Sequence, residues 1–302
     1  MVRAAHLPGA PRGAVRRELA ALERRPRKRL AQHLLADPGV IRRIVELARL
    51  GGTETVLEIG PGLGALSGEL ASRAALLYLV EIDHDFAEQL RQRFAAASHV
   101  VVIEQDFLKT DLEALGAGPI TVVANLPYNI STPVLFKLLE HADRFQRLVL
   151  MLQREVAERM RAAAGQREYS GLSVLVQFRA AVRLGLRVQP AAFVPRPKVE
   201  SEVVVLEPYT SPPVSARDPR LFKRVVRAAF QQRRKQLVNS LGGVTPDPRC
   251  VLAAAAIDPK RRPETLSLAE FARLADAVAN EARATAEKTE RARAGPSEKE
   301  SG

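Results

Sequence analysis

The sequence predicts a doubly wound α/β sheet domain followed by a small all-α domain, and three observations carry that expectation. Apolar runs of strand length (TVLEI, LLYLV, VVVIE, ITVVA, RLVLMLQ) alternate with helical patterns through residue 207. The first of these runs enters a glycine-rich turn, GPGLG, and then a helix. After Pro208 the character changes: TSPPVSARDPR reads as a linker, and the periodicity beyond it is helical only. The sheet is expected to hold seven strands with the last one reversed, and the domains to divide at 27–207 and 208–278.

In chain order, residues 1–26 are rich in Ala, Arg and Pro, and RRELAALERRPRKR holds at most a short basic helix. The segment reads as a mobile RNA-contacting arm, with an inert tail as the alternative. A helix follows, capped by Asp37, opened by Pro38 and carrying Val40, Ile41, Ile44, Val45 and Ala48 at helical spacing. The segment Gln32-His33-Leu34-Leu35 falls just outside its start.

TVLEIGPGLGALSGELASR then reads as strand, turn and helix, with Gly60, Gly62 and Gly64 letting backbone approach a ligand closely. About twenty residues on, a strand ends in Glu81 and Asp83, placed to accept hydrogen bonds from ribose hydroxyls; Asp83 fits a helix cap equally well. Asp106 follows the third strand, where the adenine of a nucleoside cofactor would lie. Gly60-x-Gly62-x-x-Ala65 also fits a dinucleotide fingerprint. Glu58 ahead of the glycines and the third glycine at 64 favour S-adenosylmethionine.

The run ITVVA ends in Asn125-Leu126-Pro127-Tyr128-Asn129. An exocyclic adenine amine is flat because its lone pair is delocalised into the ring, so acceptors must draw it toward a tetrahedral shape before it can attack. The Asn125 side-chain oxygen and the carbonyl of the rigid Leu126-Pro127 bond offer two such acceptors, and Tyr128 offers a ring for stacking. The competing reading is a strand running into a proline turn, with Asn and Tyr satisfying loop polar groups.

LGLRVQP and SEVVVLEP read as a final strand pair joined by AAFVPRPKVE, in which Phe193 reads as closing over a base supported by Tyr128, with a hydrophobic plug as the alternative. Helical patterns follow at 219–241, 248–257 and 267–280. The first carries Arg224, Arg227, Arg233, Arg234 and Lys235, a phosphate-contacting surface with a solvated helix as the alternative. Residues 279–302 are charged, lack large apolar groups and read as a disordered tail. Across 302 residues, 46 Lys+Arg against 34 Asp+Glu give a net charge of +12 and favour a polyanionic partner. The single cysteine, Cys250, excludes an intramolecular disulfide and a cysteine zinc site, which fits the cytoplasm; no metal and no membrane span are expected.

Taken together, RKRLAQHLL, LEIGPGLGALS, VEID, QDF, NLPYNIST, LMLQREVAERM, FVPRPKVES and FQQRRKQLVNSL resemble the bacterial small-subunit (16S) ribosomal RNA adenine dimethyltransferases over about residues 27–278. The resemblance implies a Rossmann-like class I methyltransferase fold acting as a monomer on small-subunit ribosomal RNA in a 30S precursor. It implies two methyl groups placed on N6 of each of two adjacent adenosines near the RNA 3′ end. It further implies that S-adenosylmethionine is held by His33, Leu35, Gly60, Glu81, Asp106 and Asn125. The target adenine falls to Asn125, Tyr128 and Phe193. His33 stands where the family often has Asn, and Pro195-Arg196-Pro197 where it often has three prolines. The alternatives are an erythromycin-resistance-type large-subunit (23S) methylase, a non-catalytic ribosome assembly factor and a nicotinamide dehydrogenase.

Overall fold

A computed structural model of the chain describes residues 33–232 and 235–293. The expected basic arm at 1–26, Arg233, Arg234 and the tail beyond Arg293 lie outside those residues. The chain divides into two compact units: residues up to Arg161 with Arg179–Thr210, and Ala162–Phe178 with the chain from Ser211 onward.

The first unit is built on strands β2 (Thr55–Ile59), β3 (Leu76–Glu81), β4 (Val100–Glu104), β5 (Ile120–Asn125), β6 (Phe145–Gln153), β7 (Ala180–Val188) and β9 (Ser201–Pro208). They form one seven-stranded sheet in the order β4-β3-β2-β5-β6-β9-β7. Every pairing from β4 to β6 is parallel, and β9 runs against both β6 and β7. The expected reversed last strand is therefore present, inserted between β6 and β7. The central strands are apolar nearly throughout because both sheet faces are covered: Leu57, Leu77, Leu79, Val122, Val123 and Leu148 are all fully buried.

Helix α1 (Pro38–Ala48) begins as the sequence predicts, with Asp37 accepting the Val40 N–H at 3.0 Å and Ile41, Ile44, Val45 and Ala48 facing the core. Helices α2 (Ser67–Ala71), α3 (His84–Arg93), α4 (Ser131–Glu140) and α5 (Arg154–Arg161) alternate with the strands. Glu202 in β9 is fully buried and paired with Arg161 and Arg187, so its charge is not left alone in the interior. A second, two-stranded sheet joins β1 (Leu34–Leu35) to β8 (Phe193–Val194), a long-range pairing absent from the sequence expectation.

The second unit contains α6 (Gly171–Gln177), α7 (Pro219–Gln231), α8 (Leu237–Ser240), α9 (Pro248–Ala254) and α10 (Leu268–Arg293). Its core is aromatic: Phe178 stacks on Phe222 at 4.3 Å, and Phe230 on Phe271 at 5.8 Å. That stacking explains why 162–178, expected with the sheet, belongs here. The helix expected over 219–241 is broken, because Gln232 and Gln236 leave helical backbone angles and the Leu237 N–H donates to the Arg261 carbonyl at 2.8 Å. Helix α10 runs on to Arg293, so the expected disordered tail is helical over its first part.

Phe222 is fully buried within this core. Phe222→Ala should destabilise the helical unit by about 3–5 kcal/mol. Chemical denaturation followed by circular dichroism measures it, and a loss below about 1 kcal/mol would contradict the packing described.

Candidate active site

Four parallel strands deliver their carboxyl ends to one edge of the sheet. Gly60 follows β2, Glu81 closes β3, Asp106 lies just past β4 and Asn125 closes β5. The chain winds from β2 outward to β4 and then returns to β5 on the other side of β2, so this edge holds the topological switch point. A cleft opens there, with about 1000 Å³ of free space including its mouth. His33, Gly60, Glu81, Asp106, Asn125 and Tyr128 all line it.

Gly60 and Gly62 are both left-handed, with φ of 66° and 57°. A Cβ on Gly60 would meet nothing within 4 Å, whereas one on Gly62 would come within 3.0 Å of Leu34. The turn is fixed from below by Glu81, whose carboxylate accepts N–H bonds from Gly62, Ile82 and Asp83, each at 2.9 Å. Burial pushes the Glu81 carboxyl up, and those N–H bonds pull it back. Three of roughly four acceptor positions are used, leaving one to receive a hydroxyl. Asp83 caps α3 by accepting the Asp85 N–H, the cap role weighed from the sequence.

Glu58, one strand over, is fully buried and, among the described residues, accepts only from Ser67 Oγ at 2.6 Å. Burial, with the Glu81 charge adding to it, pushes its carboxyl up to about 8. Asp106 caps the 3₁₀ turn Phe107–Lys109 by accepting the Leu108 N–H at 2.9 Å.

At the end of β5, Asn125 Nδ2 donates to the His33 carbonyl at 3.0 Å. A carbonyl can only accept, so this bond fixes the amide's orientation and turns Oδ1 away as an acceptor. Oδ1 has no hydrogen-bond partner among the described residues, and neither does the Leu126 carbonyl; the Pro127 carbonyl is taken by the Ile130 N–H. The Tyr128 hydroxyl is hydrogen-bonded to Ser201 Oγ at 2.8 Å, and burial raises the phenol's pKa, keeping it neutral. The His33 ring stands 5.5 Å from the Tyr128 ring, tilted by 33°. His33 Nδ1 bonds the Pro195 carbonyl at 2.9 Å, so that nitrogen carries the proton.

Two expected site residues stand elsewhere. Phe193 is a core residue, 2% exposed, paired with Leu35 across the β1–β8 ladder, and does not line the cleft. Leu35 is buried in the same cluster. Side chains alternate along a strand, so the neighbouring Leu34 faces the cleft instead. Sequence reading also missed Ser201, whose only signal was its place in FVPRPKVES. Lys235 is exposed in the helical unit and is not among the residues lining the cleft.

The sequence pattern defining the family described as "Ribosomal RNA adenine dimethylase" matches residues 23–280. The chain belongs to this family. A relative from Geobacter sulfurreducens named ribosomal RNA small subunit methyltransferase A is 49% identical over 259 residues, covering 83% of this chain and 94% of its own. Another of the same name from Pseudomonas putida is 44% identical, covering 87% and 98%. Among solved structures, a dimethyladenosine transferase from Plasmodium falciparum superposes with a TM-score of 0.69 at 29% identity, covering 80% of this chain and 96% of that one. The 23S rRNA methyltransferase ErmE gives 0.64 at 27%, covering 82% and 99%. As a ribosomal RNA adenine dimethylase, the chain is a methyltransferase of class I fold whose methyl donor is S-adenosylmethionine. The residues present fit that donor: open room at Gly60, a free acceptor position on Glu81, and a carboxylate at Asp106.

Glu81→Ala should weaken S-adenosylmethionine binding by about 1.5–3 kcal/mol, the scale of lost bonds to a charged acceptor. Titration calorimetry on the folded variant checks it; parental affinity would remove Glu81 from the binding set. Glu58 generates a pH prediction. Its folded pKa of about 8 lies above the ordinary value of 4.5, so between those values the folded chain holds a proton that the unfolded chain releases. Stability should therefore fall as pH rises through that window and level off above it. Glu58→Gln should melt with the parent at pH 5 and above it at pH 9, as calorimetric scans at the two pH values will show.

Proposed function

We propose that this chain transfers methyl groups from S-adenosylmethionine to N6 of two adjacent adenosines near the 3′ end of small-subunit (16S) ribosomal RNA, producing dimethyladenosines. The observation that carries the reading is the pair of acceptors without a partner among the described residues, Asn125 Oδ1 and the Leu126 carbonyl, at the lip of the cofactor cleft. An amino group is the one part of a base that presents two N–H donors side by side. With one N–H to each oxygen, the nitrogen is drawn out of conjugation and its lone pair turned toward the donor site.

The Tyr128 ring, anchored through its hydroxyl to Ser201, supports the base from one side. Bound S-adenosylmethionine supplies an electrophilic methyl group on its sulfonium. Once the nitrogen has formed its new bond to carbon it sheds an N–H proton to solvent, so the site needs no strong base. In this arrangement Asn125 and Tyr128 are the catalytic residues, and His33, Gly60, Glu81 and Asp106 bind the cofactor. The Leu35 assignment passes to Leu34.

A 30S precursor is the natural form of the substrate, met by the chain as a monomer in the cytoplasm. Support comes from the net charge of +12 and from α7, whose Arg220, Arg224 and Arg227 are exposed on the face opposite buried Phe222, Val225, Val226 and Ala229. The fold suits a large-subunit target equally, given its likeness to ErmE. The relatives at 44–49% identity carry the small-subunit name, and we follow them. Mass mapping of ribosomal RNA from cells with and without the gene tests the target: small-subunit RNA should lose dimethyladenosine, and loss from large-subunit RNA alone would overturn the reading.

Asn125→Ala should cut the single-turnover rate by roughly 10²-fold or more, and Tyr128→Ala should cost about 1–3 kcal/mol in holding the base. Rapid-quench assays on small-subunit RNA measure both, with cofactor affinity determined alongside; parental rates in both variants would displace this stretch from the chemistry. RNA affinity should fall steeply with salt, and charge reversal at Arg233 and Arg234 should weaken it. A filter-binding series across salt concentrations would show an unchanged curve if that segment makes no phosphate contact.

A further inference from the structure

We propose that Lys137 is a positioning residue for the cofactor, holding the Asp106 turn in register with the Asn125–Tyr128 motif; this rests on the reading of Asp106 as a cofactor ligand. Lys137 lies on α4, which begins at Ser131, directly after the cleft-lining Asn129 and Ile130. From there its ammonium group reaches back to the other wall. Nζ donates to the carbonyls of Phe107 at 2.8 Å, Leu108 at 3.1 Å and Thr110 at 2.5 Å. An ammonium has three N–H donors, so the group is fully committed to this one turn.

The turn needs such a partner. A 3₁₀ turn of three residues leaves its last carbonyls unpaired, with the negative end of its dipole exposed there. The Leu108 and Thr110 carbonyls have no other hydrogen-bond donor among the described residues. Nζ also stands 5.1 Å over the Phe107 ring, which is buried and lines the cleft beside Asp106. Asp106 caps the turn at its start and Lys137 closes it at its end. The direction of the Asp106 carboxylate is therefore set by both. Partial burial draws the Lys137 pKa down, while Asp106 and Asp111 push it back up, keeping the group a cation.

The consequence is a mechanical link between the two halves of the site. The helix that grows out of the substrate motif also grips the turn that carries a cofactor carboxylate. A methionine of similar length would keep the packing and lose all three donors.

The test uses the full chain. Lys137→Met should raise the Kd for S-adenosylhomocysteine about tenfold by calorimetry, the scale of one lost charge-assisted bond. Methylation assays should show that increase as a higher KM for S-adenosylmethionine, with KM for RNA unchanged and kcat changed less. Lys137→Arg, which keeps N–H donors near the carbonyls, should recover most of the affinity. In the ligand-free protein, hydrogen exchange at the Leu108, Lys109 and Thr110 amides should quicken in the Met variant. If Lys137→Met does not fold, Lys137→Gln carries the same comparisons. Parental affinity with unchanged exchange overturns the proposal, as does an Arg variant no better than Met, which would show that restoring N–H donors does not restore binding. Glu81→Ala is the control: if it weakens binding and the Lys137 variants do not, only the Lys137 proposal falls. If neither weakens binding, the reading of the cleft falls with it.

Discussion

A parallel strand that stops leaves its last backbone groups without sheet partners, and in this chain β2, β3, β4 and β5 all stop along one edge. The site is made from the ways those ends are completed. The Gly62, Ile82 and Asp83 N–H groups converge on the Glu81 carboxylate. The turn past β4 is capped by Asp106 and gripped by Lys137. The end of β5 is tied to the His33 backbone through Asn125. Each device satisfies the protein's own groups, and Gly62, Glu81, Asp106 and Asn125 all line the cleft.

Glu58 and Glu81 show how differently two buried carboxylates can be held. They sit on adjacent parallel strands, Glu58 with one hydroxyl as its partner and Glu81 with three backbone N–H groups. A carboxylate ringed by N–H donors keeps its charge far more readily than one with a single hydroxyl. The residue better supplied with donors is the one that faces the cofactor cleft. The other, Glu58, accepts from Ser67 at the opening of α2.

Much of this was legible in the residues because it depended on local pattern. The strand–turn–helix at 55–71, the Asp37 and Asp83 caps and the strand-end positions of Glu81, Asp106 and Asn125 follow from spacing and residue type. What failed to show was long-range. Nothing in Gln32-His33-Leu34-Leu35 announces that it pairs with Phe193 and Val194, and only that pairing decides that Leu34 turns to the cleft while Leu35 and Phe193 turn to the core. The break after α7 is likewise set by a bond to Arg261, far along the chain. Membership of 162–178 in the helical unit rests on Phe178 meeting Phe222, a contact that apolar periodicity alone does not specify.

Among the described residues, the lip of the cleft has two open oxygens, Asn125 Oδ1 and the Leu126 carbonyl, with no donor at either. If these oxygens take the target amine as proposed, that asymmetry would give the site a way to count. An unmodified amine satisfies both oxygens. After one transfer it retains a single N–H, enough to be held and presented again. After the second it has none, and the same oxygens that gripped it now face carbon, with desolvated lone pairs unpaired for as long as the base stays. Under the proposed function, the finished nucleotide would thus be released by the groups that recruited it, once the amine has no N–H left to offer them.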